Sequence, residues 1–269
     1  MKKIGIMFLL SGFLTSPFQD SGFPEAQISN GILTAHFYLP DIYNGYYRAT
    51  RFDWSGNTIS LDYKGHSYYG KWFDNYEPTI HDVVMGPVEE FGAVGFSEAV
   101  NGGNFIKIGV GALLKPDDKP YNSFRLYEIK NPGKWKIRKK SSSISFIQTL
   151  SDGDYGYTYK KTVRLIKGSP EMVIDHTISN NGGKRKLFSG ENIFCGALQG
   201  FSKTEKSYNI DVKNLVTGAG VRISSDESIS KLVFWASPTT VCPEPYTNIK
   251  VEPGKEYRWK IRYEYYTPE

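Results

Sequence analysis

The sequence predicts an all-β chain, a large antiparallel sandwich or barrel, on three observations. Apolar and polar side chains alternate with a period of two along most of the chain, the spacing that gives a strand one dry and one wet face. Gly, Pro, Asn and Asp gather between the alternating runs, in KNPGK, SDGD, IKGSP, SNNGGK and VEPGKE, which is the chemistry of hairpin connections. Aromatic residues make up 15% of the chain, a content that favours sheet because flat rings pack well across neighbouring strands. No stretch holds a sustained helical period.

In chain order, the N-terminus reads Lys2 and Lys3, the apolar run IGIMFLLSGFL, then small and polar residues from Thr15 to Gly22. This is the order of a secretory signal, and the run is too short to span a bilayer comfortably. Residues 1–21 are therefore expected to be a signal peptide. Residues 22–269 are expected to form one domain, exported to the periplasm or the extracellular space. All-β folds often reach this length as a single unit. No cysteine near the cleavage zone suggests a lipid anchor, and no later run is long and apolar enough for a membrane helix.

Strands are expected at Ile32 to Leu39, Thr58 to Tyr63, Phe105 to Ala112, Phe124 to Ile129, Ser143 to Leu150 and Tyr157 to Ile166. Next comes EMVIDHTIS, where Met172, Ile174, His176 and Ile178 share a face opposite Val173, Asp175 and Thr177. Leu187 to Phe194, Tyr208 to Val212, Val221 to Ser224 and Lys231 to Ala236 follow. The last, YRWKIRYEYY, sets Tyr257, Trp259, Ile261, Tyr263 and Tyr265 against Arg258, Lys260, Arg262 and Glu264. Trp72 to Asn104 lacks clean alternation and reads as a long loop, a length that in a compact domain tends to be functional or disordered.

The formal net charge is +5, but the cations are scattered through alternating strands. The densest run, KWKIRKK from Lys134 to Lys140, interleaves Trp135 and Ile137 and describes one wet strand face. A nucleic-acid partner is not expected. Cys195 and Cys242 cannot build a disulfide framework alone. They either pair or remain thiols, and would bridge if they line one cleft. Metal-ligand spacings, a GxSxG elbow and phosphate loops are all missing from the sequence.

Three segments could carry chemistry. EPTIHDVVMGPVEEFGAVGF brings His81, Asp82, Glu89 and Glu90 onto the long loop, as a site lip or as ordinary solvated acids. NGYYRATRFDWSG sets Arg48 and Arg51 among Tyr46, Tyr47, Phe52 and Trp54. That mixture suits sugar recognition, or equally a core whose cations snorkel outward. TTVCPEPYTNI fixes Glu244 between Pro243 and Pro245, which suits either an edge strand or a carboxylate aimed into a site. Of the histidines, His176 lies on an apolar face and reads as a hydrogen-bonded core residue. His81 keeps polar company and is the better candidate for chemistry.

Taken together, YYRATRFDWSG, GPVEEFG, NFIKIGVGALLKPDD, DHTISNNGGKRKLFSGENIF and VCPEPYTNIKVEPGKEYRWKIRYEY resemble the galactose mutarotase-like family, the aldose 1-epimerase superfamily of large antiparallel β-supersandwiches. The resemblance implies a saccharide ligand and no metal or organic cofactor. It also implies anomer interconversion, with a late glutamate as general base and a histidine as proton donor to the ring oxygen. Glu244 falls at the position of the base, and Arg51 matches the sugar-binding arginine. Arg48, Glu89, Glu90 and Asn192 are further candidates for sugar contact. The chain departs from the pattern at GENIFCG, where Ile193 follows Asn192 and the usual histidine is missing, so His81 is expected to replace the acid. The alternative is a carbohydrate-recognition module that has lost it.

Overall fold

The computed structural model describes residues 22–183, 187–189, 207–237 and 239–268. The expected signal, together with Asn192, Ile193 and Cys195, lies outside the described residues. All regular structure among the described residues is strand.

β1 (Glu25–Ser29), β2 (Thr34–Tyr38), β3 (Thr58–Tyr63) and β4 (His66–Ser67) form one four-stranded antiparallel sheet. β5 (Ala93–Val94), β6 (Asn104–Lys107), β7 (Gly111–Leu114) and β8 (Ile129–Asn131) form a second. The largest sheet opens with the meander β9 (Lys134–Lys139), β10 (Ser143–Asp152), β11 (Tyr155–Leu165) and β12 (Glu171–Asn180). β13 (Leu187–Ser189) leaves it to pair elsewhere, and β14 (Tyr208–Lys213) and β15 (Gly220–Ser225) return. β16 (Lys231–Ala236) and β17 (Val241–Tyr246) make a separate hairpin, and β18 (Ile249–Val251) pairs with β13. β19 (Glu256–Tyr266) closes the large sheet in the order β14-β15-β19-β12-β11-β10-β9.

The period-two pattern explains how this sheet packs. Ile144 and Phe146 on β10, Val163 and Leu165 on β11, Met172 and Ile174 on β12, and Tyr263 and Tyr265 on β19 share one face and are buried against Ile28, Ala35, Phe37 and Leu61 of the first sheet. Burying a side chain of this size contributes roughly 1.5–3 kcal/mol. Further along the same face, Leu150, Tyr157, Tyr159 and Ile178 pack on Phe91, Val94, Ile106 and Ala112 of the second sheet and its approach. Two smaller sheets thus cover one face of a large one. On the other face Lys160, Arg258, Lys260 and Arg262 are exposed, the usual arrangement of a half-wet antiparallel sheet.

Two expected strands change shape. Phe105 to Ala112 is a hairpin, β6 and β7, and not one strand. Gly109 turns there with φ of 80°, and a Cβ on it would come within 2.5 Å of the Asp53 carboxylate. Phe124 to Ile129 is largely a turn, because Asn122 accepts the Phe124 N–H at 2.9 Å and leaves Phe124 58% exposed. Strand pairing begins only at Ile129. Between Trp72 and Asn104 the only strand residues before Asn104 itself are Ala93–Val94, so the long loop stands as expected. It is not loose: Met85 bonds to Thr58 and Asn57, and Gly86, with φ of 72°, passes so close to Thr58 that a Cβ would sit 2.6 Å from that side chain.

Candidate functional site

The long loop, the β14–β15 pair and the β16–β17 hairpin enclose a cavity of about 1790 Å³. Glu244 stands on the hairpin, opposite Val233 in the antiparallel register, and Pro243 and Pro245 lie opposite Phe234 and Leu232. In such a strand successive residues direct their backbone groups to opposite edges. The two prolines therefore place their missing donors on the edge away from β16, where nothing is lost, and Glu244 keeps its place in the ladder. The edge-strand reading of this segment agrees with the structure, and Glu244 lies on the cavity wall.

Arg51 is the centre of the opposite wall. Its guanidinium lies between the rings of Phe52 and Phe124, 4.6 and 4.3 Å from their centroids. Nη1 donates to Asp82 at 2.8 Å and Nε donates to Glu90 at 3.1 Å. The Glu90 side chain is only 5% exposed, and its second oxygen, Oε1, is buried with no hydrogen-bond partner. Burial pushes the Glu90 carboxyl above its usual range, against the pull of Lys107 and Arg51. Lys107 is wholly buried, donates to the Phe91 carbonyl, and is pushed down to about 8 by burial. Glu244 accepts a hydrogen bond from the Tyr246 hydroxyl at 3.0 Å. Its charge acts on both Arg51 and Glu90. Asp82 and Glu90 thus hold one arginine on the wall of a cavity that Glu244 also lines.

Glu89, the neighbour of Glu90, turns the other way. Its carboxylate accepts from Lys161 Nζ at 2.5 Å and bonds His176 Nε2 at 2.8 Å. Lys161 also donates to the carbonyls of Ser55 and Pro87, each at 3.1 Å. Tyr159 donates to Asp53 at 3.0 Å. Burial pushes Glu89 up, but Lys161 and His176 outweigh it and hold the carboxyl at about 2; burial raises Asp53. His176 stacks on Trp259 with centroids 4.4 Å apart, and burial lowers its pKa against the pull of Glu89.

Of the sequence candidates, Arg51, Glu89, Glu90 and Glu244 reach the cavity wall, with Asp82 beside them. His81 does not stand among the wall residues. It is half-buried and hydrogen-bonded to the Phe124 backbone, with Nδ1 unpartnered and its pKa lowered by burial. Arg48 reaches back to the Tyr43 carbonyl at 2.6 Å and is also off the wall. Tyr46, Tyr47 and Trp54 are core, and from that segment only Arg51 and Phe52 face the cavity. The expected roles of His176 as a bonded core residue and of KWKIRKK as a wet strand face agree with the structure. Sequence reasoning missed Lys161 and Lys107. Lys161 had a visible signal, since it shares parity with Tyr157, Tyr159 and Val163. Trp72 and Trp235, which also line the cavity, had none beyond their size.

No protein-family model and no curated protein sequence matches the chain. Solved structures do share its shape. The Slr1438 protein from Synechocystis sp. PCC 6803 is 12% identical with a TM-score of 0.52, covering 91% of this chain and 96% of that one. A provisionally assigned aldose 1-epimerase from Escherichia coli K12 is 11% identical with a TM-score of 0.52, covering 92% and 100%. A galactose mutarotase-related enzyme from Lactobacillus acidophilus aligns with 10% identity and a TM-score of 0.44. The chain has the all-β galactose mutarotase-like fold, as its sequence motifs implied. At these identities the likeness concerns the fold, and the activity is argued from the cavity.

Proposed function

We propose that this is an exported saccharide-binding protein that interconverts the anomers of an aldose by general acid/base ring opening. The observation that carries the reading is the meeting of Arg51 and Glu244, drawn from chain segments nearly two hundred residues apart, on the walls of one cavity. Glu244 takes the proton of the anomeric hydroxyl. The bond from the anomeric carbon to the ring oxygen breaks as that oxygen accepts a proton, the aldehyde turns, and the ring closes on its other face. His81 is the proposed donor, as an imidazolium that turns inward from its place off the cavity wall to reach that oxygen. The Lys2–Lys3 start and the apolar run after it support export.

Charge supports a neutral ligand. Asp82 and Glu90 already engage the Arg51 guanidinium, and Glu244 adds a third carboxylate nearby. A uronate brought here meets this ring of acids with its cationic partner already committed. Neutral hydroxyls, by contrast, bring no charge for these acids to oppose and can donate to the Glu244 carboxylate.

A second reading, a recognition module without catalysis, is favoured by one observation: His81 stands off the cavity wall. Exchange NMR on freshly dissolved aldoses separates the two. The enzyme reading predicts anomer exchange above the uncatalysed rate. Binding of the same sugars with no acceleration would transfer the protein to the recognition class.

A further inference from the structure

We propose that the cavity carries a second sugar subsite, built on Trp235 and Trp72, and that the ligand is the reducing end of a neutral oligosaccharide. The proposal rests on the sugar-binding reading of the Glu244 wall and extends it outward along the hairpin. Trp235 lies opposite Cys242 and Val233 lies opposite Glu244, so the two pairs are alternate rungs of one ladder. Alternate rungs share a face. Two residues along a strand span roughly 6.7 Å, the scale of one pyranose ring. A sugar with its anomeric carbon at Glu244 therefore brings its neighbour over the Trp235 indole.

Trp235 is 39% exposed, a large apolar face on a cavity wall. Trp72 meets it edge-on, with centroids 4.9 Å apart and an interplanar angle of 63°. The Trp72 indole N–H donates to the Val84 carbonyl at 2.9 Å, which fixes that ring from the long loop. A pinned aromatic pair with an open face suits the flat C–H face of a sugar ring, since stacking needs apolar area and little ordering. Ser237, Thr239 and Thr240 line the cavity beside it and offer hydroxyls for the polar rim of the same ring. The cavity volume of about 1790 Å³ points the same way. It exceeds the roughly 300–1,000 Å³ of sites for single small ligands.

The test is calorimetric titration of glucose, maltose and maltotriose, and of galactose and lactose, into the wild type, Trp235→Ala and Trp235→Phe. In the wild type the longer sugars should bind about tenfold tighter or more than the monosaccharide at their reducing end. Trp235→Ala should abolish that gain and leave monosaccharide affinity within about twofold, and Trp235→Phe should keep most of the gain. Equal affinity for short and long sugars in the wild type, or an equal loss for both in Trp235→Ala, would overturn the subsite and leave the Glu244 wall standing. Failure of every sugar to bind would sink the wall reading and the subsite together.

Discussion

Glu89 and Glu90 are consecutive residues of one loop, and they end in opposite situations. Glu89 points into the sheet, where Lys161 and His176 take both of its oxygens. Glu90 is tied to Arg51 through one oxygen, and its other oxygen is buried without a partner. A satisfied buried ion cluster fixes geometry. An unsatisfied buried acceptor carries a desolvation cost. The first carboxylate anchors the loop to the large sheet, and the second holds Arg51 on the cavity wall. The two clusters share a loop but should fail differently when disturbed.

The largest effect is expected at the anchor. Glu89→Gln leaves Lys161 buried with a weakened partner set, and breaking a buried pair typically costs about 3–5 kcal/mol. Denaturant unfolding should show that loss as a lower midpoint. The pH dependence has a definite sign. The folded Glu89 carboxyl is held at about 2, below its ordinary 4.5, so the wild type gains stability from it above about 4.5. That gain is lost as pH falls toward 2. Glu89→Gln should flatten this acid limb.

On the cavity side the effects should appear in function. His81→Asn should slow anomer exchange by about 10²-fold with sugar affinity unchanged if His81 delivers the proton, since an amide cannot do so. An unchanged rate removes His81 from the reaction. Glu90→Gln should weaken sugar binding by about tenfold, roughly 1.4 kcal/mol, through its weakened hold on Arg51. The smallest effect is expected for Arg48→Ala. Its side chain is turned to the Tyr43 carbonyl, so stability should change by less than about 0.5 kcal/mol and sugar affinity not at all. A large loss of affinity there would place Arg48 on the wall after all.

The alternation of apolar residues made the large sheet legible, because the side-chain period of a strand follows directly from its geometry. Thr58–Tyr63 agrees to the residue. The hairpin hidden in Phe105 to Ala112 was not legible, because Gly109 turns there against Asp53, a contact made across the fold. Arg51 and Glu244 could be singled out by neighbours in sequence, aromatics for one and prolines for the other. Their meeting could not be read, since it depends on where the hairpin docks. Nor could the opposite fates of Glu89 and Glu90, which adjacent positions in a sequence do not distinguish. Lys161 was legible in principle from its strand parity. Lys107, in a strand of only four residues, was not.

On the proposed reading a sugar lies on the cavity side of this loop, and Glu244 takes the proton of its anomeric hydroxyl. Glu244→Gln tests it most directly when sugar affinity and exchange rate are measured on the same samples. Affinity should stay within about threefold of wild type and the exchange rate should fall by about 10²-fold or more, about 2.7 kcal/mol, because the amide keeps the shape and loses the base. A rate equal to wild type at equal affinity would contradict it.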